Sequence, residues 1–128
     1  MSYYFTKVTN YTMTEAREKV TEALKTEGFG VLTEIDVQQT LKNKLDVDFR
    51  PYLILGACNP SFAYQALTAE PNIGAMLPCN VILQQTTDGG TEISAVDPVA
   101  SMKGVDNSTL GSIATEVQQK LQRVIDRV

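Results

Sequence analysis

The C-terminal segment constrains the fold most. Leu110, Ile113, Ala114, Val117, Leu121, Val124, Ile125 and Val128 recur at helical spacing and form one apolar stripe on a helix opened by Asn107 or Ser108. A helix that is apolar on one stripe only must lie on an apolar surface supplied by the rest of the chain. Strands are what the rest of the chain offers. Residues 3–8 are aromatic and β-branched, and residues 29–37 carry Val31, Thr33, Ile35 and Val37 in alternation with Leu32, Glu34 and Asp36. Residues 51–58 are nearly all apolar, as in a central strand. Residues 79–86 and 91–96 flank Asp88-Gly89-Gly90, a strong hairpin turn.

Helices punctuate this series. Thr12 precedes Glu15 at capping-box spacing, and Met13, Ala16, Val20, Ala23 and Leu24 follow on one face until Gly28 stops the helix. Residues 38–45 read as a short helix. Asn59-Pro60 reads as an N-cap with proline at the first helical position, opening a helix to about residue 70 that Pro71 ends. Residues 72–78 and the stretch before Asn107 read as loops. The order is β-α-β-β-(α)-β-β-α, with the small helix between the third and fourth strands. Segregated strands and helices of this kind imply an α+β domain in which a curved antiparallel sheet of about five strands is backed by two helices. The opposite face of the sheet is left partly open for a dimer or a ligand. No linker or repeat divides residues 1–128, so a single domain is expected.

Composition narrows the chemistry. At 128 residues with 43% hydrophobic and 20% charged residues, the chain can bury one core and does not resemble a disordered one. Its net charge of −4 has the wrong sign for a phosphate-backbone binder, so no nucleic-acid partner is expected. No apolar run approaches a membrane span, and the N-terminus lacks the pattern of a signal peptide. A cytoplasmic protein with no membrane partner follows. The absence of histidine excludes imidazole bases and ligands, and with them the usual triads and mixed Cys/His zinc sites. Two thiolates and one carboxylate are too few for zinc or an iron–sulfur cluster unless two copies share a site. Neither a metal nor a cofactor is expected.

Two cysteines remain as candidate reactive groups. Placing Asp88-Gly89-Gly90 in the turn sets Leu83 opposite Ala95 and Val81 opposite Asp97. Cys58, Asn59, Cys79, Asn80 and Asp97 then gather at one end of the sheet. Cys58 precedes a helix N-terminus, where backbone N–H groups favour a thiolate. On this reading Cys58 and Cys79 are the candidate catalytic thiols, Asn59 and Asn80 orient a substrate, and Asp97 accepts a proton. The competing reading treats both cysteines as small buried hydrophobes and both asparagines as turn and helix caps. Other features have simpler explanations. Glu34 and Asp36 read as the wet side of an edge strand, and the aromatic residues near the N-terminus read as packing.

The middle of the chain resembles a known family. Tyr52-Leu53-Ile54-Leu55-Gly56-Ala57-Cys58-Asn59-Pro60, Ala63, Ala66-Leu67, Pro71, Ile73-Gly74, Leu77-Pro78-Cys79-Asn80-Val81 and Val96-Asp97-Pro98 closely resemble domain-of-unknown-function family 302, as does the segment from Gly28 to Val37. The resemblance implies a TATA-binding-protein-like α+β fold without DNA binding, matching cysteines at Cys58 and Cys79, and a homodimer. It implies no particular activity. The expected function is thus an uncharacterised cytoplasmic protein with a two-cysteine thiol or anion site. The alternative is a non-catalytic small-molecule-binding or regulatory module with structural cysteines.

Overall fold

A computed structural model describes residues 2–128. In chain order the elements are β1 (Tyr4–Thr9), α1 (Met13–Thr26), β2 (Gly30–Asp36), α2 (Val37–Leu45), β3 (Tyr52–Cys58), α3 (Pro60–Ala69), a 3-10 helix (Pro71–Met76), β4 (Cys79–Gln85), β5 (Thr91–Val96), α4 (Pro98–Ser101) and α5 (Ser108–Arg127). The strands form one open sheet in the order β1-β5-β4-β3-β2, with every neighbouring pair antiparallel. This is the expected α+β architecture.

Strand alternation decides which face is covered. Phe5, Val31, Leu53, Leu55, Ala57, Val81, Leu83, Ile93 and Ala95 point to one side and pack with Ala16, Val20, Leu24, Val117, Leu121, Val124 and Ile125 from α1 and α5. The opposite face carries no helix of the main layer. A smaller cluster of Ala66, Ile73 and Leu110, with Leu77, Met102 and Val105 against it, joins α3 and the 3-10 helix to the start of α5.

Local chemistry fixes the helix ends. Thr12 and Glu15 form the reciprocal capping box at α1 (3.1 and 3.0 Å). Asn107 caps α5 by accepting from Thr109 N (3.1 Å) and Leu110 N (3.4 Å), and its Nδ2 donates to Ala69 O at the end of α3. Glu34 pairs with Arg17 on α1, and Asp36 caps α2 by accepting from Gln39 N, so each carboxylate has a structural partner.

Three details depart from the sequence reading. Residues 71–76, expected as loop, wind into the 3-10 helix, and the stretch after β5 contains the four-residue α4. The β4–β5 register is also displaced by two residues: Val81 pairs with Ala95 and Leu83 with Ile93. The loop closes at Thr86 and Gly90, with only Gly89 at positive φ (87°). Gly90 is instead buried against the Thr9 carbonyl, where a Cβ would not fit. A two-residue slide preserves the inward face, which is why the core reading survived it.

Gly56, in the interior strand β3, is closely approached by side chains of its neighbours. A Cβ there would collide with Thr33 Oγ1 and lie 2.8 Å from Pro78 Cγ. Gly56→Ala should therefore destabilise the protein by ~1–3 kcal/mol despite alanine's lower backbone entropy, as overpacked sites do. Part of the loss should return in Gly56→Ala/Thr33→Ala. Urea unfolding of the three proteins checks this, and an unchanged midpoint for Gly56→Ala would remove the steric argument.

Candidate functional site

The sheet ends abruptly where β3 runs out at Cys58 and β4 begins at Cys79, and α3 with the 3-10 helix caps that end. Between them and the first half of α5 lies a cavity of about 350 Å³. Its walls include Phe29, Phe62, Leu67, Met102, Ile113 and Val117, and the space arises where small residues face one another: Ala63, Ala66, Gly74 and Ala114. Thr33 and Asn59 are the polar side chains among the lining residues, which include no acid and no base.

Cys58, Asn59 and Cys79 all line this cavity; Asn80 and Asp97 do not. Cys79 pairs with Ala57 across the β3–β4 ladder and packs on the helix-facing side, so pleat alternation sends Cys58 toward the other face. The two thiols reach one cavity from opposite sides of the sheet's end. Both are free and partly buried. Asn59 occupies the N-cap position of α3, but its side chain does not cap the helix. Its Nδ2 donates instead to Glu27 O (3.1 Å), tying the start of α3 to the end of α1. Asn80 pairs with Gly56 and is exposed on the open sheet face. Asp97 caps α4 by accepting from Val99 N (3.0 Å) and Ala100 N (3.4 Å), and it accepts from Gln118 Nε2 as well (3.0 and 3.2 Å).

Burial dominates the electrostatics. It pushes the Cys79 thiol up from the ordinary 9.0 to about 11, and neighbouring Cys58 adds to the rise. Cys79 is therefore a neutral thiol at physiological pH. Beside the cavity, the Glu27 carboxyl is held below its usual range by the hydrogen bond from Arg123 (2.9 Å), with Lys120 at 3.9 Å. This ion pair fastens α1 to α5. Sequence reasoning missed the aromatic and aliphatic walls of the cavity. The available signal was the run of small residues at 63, 66 and 74 opposite 114, which cannot fill the space between the elements carrying them.

Among the described residues no three cysteine or carboxylate side chains converge as metal ligands, and no helix is long and apolar enough to cross a membrane. The arrangement defines an α+β protein with a one-sided antiparallel sheet and an apolar, thiol-bearing cavity at the sheet's end. The model for the domain of unknown function DUF302 matches residues 5–128, so the chain belongs to that family. The crystal structure of an uncharacterized conserved DUF302 protein from Bacillus stearothermophilus is similar at 32% identity and a TM-score of 0.91, covering 99% of this chain and 98% of its own. Among curated proteins, none matches the chain.

The raised Cys79 value carries a sign. The folded state holds the thiol proton more tightly than the unfolded chain, so this contribution to stability is complete below pH 9 and is lost as pH rises through about 11. Cys79→Ala should flatten that part of the stability–pH curve relative to the parent, measured by urea unfolding from pH 7 to 11. Iodoacetamide at neutral pH should label Cys79 roughly a hundredfold more slowly in the folded than in the unfolded protein. Rapid labelling of folded Cys79 would contradict the burial argument.

Proposed function

We propose that the protein is a small-molecule-binding module whose ligand is neutral and largely apolar, held in the cavity at the end of the sheet. The observation that carries this is the lining: about 350 Å³ walled by aromatic and aliphatic side chains, two thiols and no charged group. Ligand sites are typically cavities of ~300–1,000 Å³ with few polar groups. An anion would lose its hydration here and gain no cationic partner. Cys58 and Cys79 contribute soft, polarisable surface, and Asn59 is occupied in holding α3 to α1. Two free cysteines suit a reducing compartment, in keeping with a cytoplasmic protein.

The thiol-chemistry reading has one observation in its favour, that both cysteines open onto the same cavity. Against it, Cys79 is held protonated, no base lines the cavity, and pleat alternation directs the two side chains to opposite faces. Asn80 and Asp97 lie outside the cavity, and Asp97 already serves as a cap.

A neutral fluorescent probe, N-phenyl-1-naphthylamine, tests the binding reading. It should bind saturably with enhanced emission. Ala63→Phe, which fills the cavity from α3, should weaken binding by at least ~10-fold while the urea midpoint stays equal or rises. No saturable binding by the parent, or undiminished binding by the filled variant, would defeat the proposal.

A further inference from the structure

A second cavity, of about 400 Å³, lies on the open face of the sheet and shares no lining residue with the first. Strand alternation builds it. Asn80, Ile82 and Gln84 project from β4, and Glu92 and Ser94 project from β5, all on the face away from α1 and α5. Ile82 pairs with Ser94 and forms the floor with it, and the Ser94 hydroxyl is already taken up by Thr6 Oγ1 at 2.9 Å. The cross-strand row Glu92, Gln84 and Tyr52 stands at one end of this floor. Asn80 and Tyr4 stand at the other. Successive positions on one face of a strand are about 7 Å apart, so Ile82 lies a side chain's length from either end.

The Gln84 end holds two opposite charges that do not touch. Arg50 donates to Gln84 Oε1 from Nε (3.1 Å) and Nη2 (2.8 Å), and Gln84 Nε2 donates to Glu92 Oε2 (3.0 Å). This chemistry fixes the amide's orientation, because a guanidinium only donates and a carboxylate only accepts. Among the described residues neither Arg50 nor Glu92 has an ion-pair partner. The other guanidinium N–H groups and Glu92 Oε1 have no hydrogen-bond partner there either. The guanidinium is nonetheless held in place, 4.6 Å from the Phe49 ring centre and 5.5 Å from that of Tyr52.

We propose that this second cavity is a site for a free, zwitterionic α-amino acid with a large apolar side chain. Arg50 takes the carboxylate and Glu92 takes the ammonium, as charge-assisted hydrogen bonds. Like the Gln84 amide, an α-amino acid carries its acceptor and its donor on either side of a single carbon, so it spans the same two groups. Its side chain then lies over Ile82, between Tyr52 and the Tyr4 end. Charge selects this class. A dicarboxylate sets like charge against Glu92, and a polyamine sets like charge against Arg50. A peptide separates its two charged termini. A zwitterion satisfies both ends, and the chain's net charge of −4 does not repel it. The volume falls within the ~300–1,000 Å³ usual for small-molecule sites. The two cavities are separate, so this proposal does not depend on a ligand at the end of the sheet.

Titration of the isotope-labelled full chain with L-phenylalanine at neutral pH, followed by amide chemical shifts, tests this. Saturable shifts should centre on Ile82, Gln84 and Ser94, with a dissociation constant of ~0.1–1 mM, reasonable for so small a ligand on an open face. Hydrocinnamate, which lacks the ammonium, and phenethylamine, which lacks the carboxylate, should each bind ~10-fold or more weakly. Glu92→Gln should weaken phenylalanine by ~10-fold or more while hydrocinnamate binds equally or more tightly. Arg50→Gln should do the same to phenylalanine and spare phenethylamine. The ligand series needs no variant, so it decides the matter even if a substitution disturbs folding. No saturable shift at these amides up to ~20 mM phenylalanine overturns the proposal. So does hydrocinnamate binding as tightly as phenylalanine, or Glu92→Gln weakening both alike.

Discussion

Packing of α5 across the helix-facing side of the sheet is the interaction on which the remaining structure depends. Leu121, Val124 and Ile125 are essentially inaccessible to solvent. Each is worth roughly 1.5–3 kcal/mol when fully buried. The C-terminal half of the helix is further held by polar contacts: Lys7 donates to the carbonyls of Asp126 and Val128, and Glu27 pairs with Arg123 and Lys120. A mismatch in length then shapes the rest. Twenty residues of α-helix extend about 30 Å, whereas strands of six or seven residues reach only about 20–24 Å. The N-terminal part of α5 overhangs the sheet and needs another apolar cover. Leu110, at that end, packs with Ala66 and Ile73 from α3 and the 3-10 helix. The cavity is the space left where this second cover meets the first.

The same geometry decides the chemistry available to the cysteines. They terminate β3 and begin β4, so they sit at the boundary between the sheet and the overhang cover. A helix N-terminus beside a thiol favours its anion through free N–H groups. At α3 that pull is reduced, because Pro60 at the first helical position has no N–H to offer and the side chain of Asn59 is committed to Glu27. Hydrocarbon walls oppose any charge placed there, and burial of Cys79 dominates its shift. At Cys79 the thiol is therefore held neutral, and the apolar walls make the cavity a place for neutral groups.

Much of the fold was legible in the sequence because its signals are local. The capping box at Thr12–Glu15, the stripe of α5 and the alternation of β4 and β5 each depend on neighbours within a few positions. The family resemblance rested on segments within residues 28–98, and the family model matches from residue 5 to the end of the chain. Of the candidate site, what local reasoning captured was that Cys58, Asn59 and Cys79 come together. The hairpin register was missed because the two adjacent glycines look alike in sequence. Only Gly89 uses its freedom for a left-handed turn; Gly90 is glycine because the Thr9 carbonyl, from the first strand of the chain, occupies the space of a Cβ. The cavity was invisible for a related reason. It is defined by absence of volume at positions distant in sequence, and alanines in a helix announce helix propensity rather than empty space.

Gly56 couples the pairing of the sheet to the cavity. Lacking a Cβ, it lets Thr33 from β2 and Pro78 from the start of β4 approach the centre of the sheet from the open face. Both residues also line the cavity. Closure of the cavity floor and completion of the β2–β3–β4 pairing are therefore one packing event. A side chain at this position has to displace either Thr33, which follows the β2 irregularity after Val31, or Pro78, which sets the start of β4 and hence the placement of Cys79. On the opposite side of the strand Leu55 and Ala57 are both fully buried, and Ala57 also lines the cavity. The cavity is thus built into the register of the sheet itself.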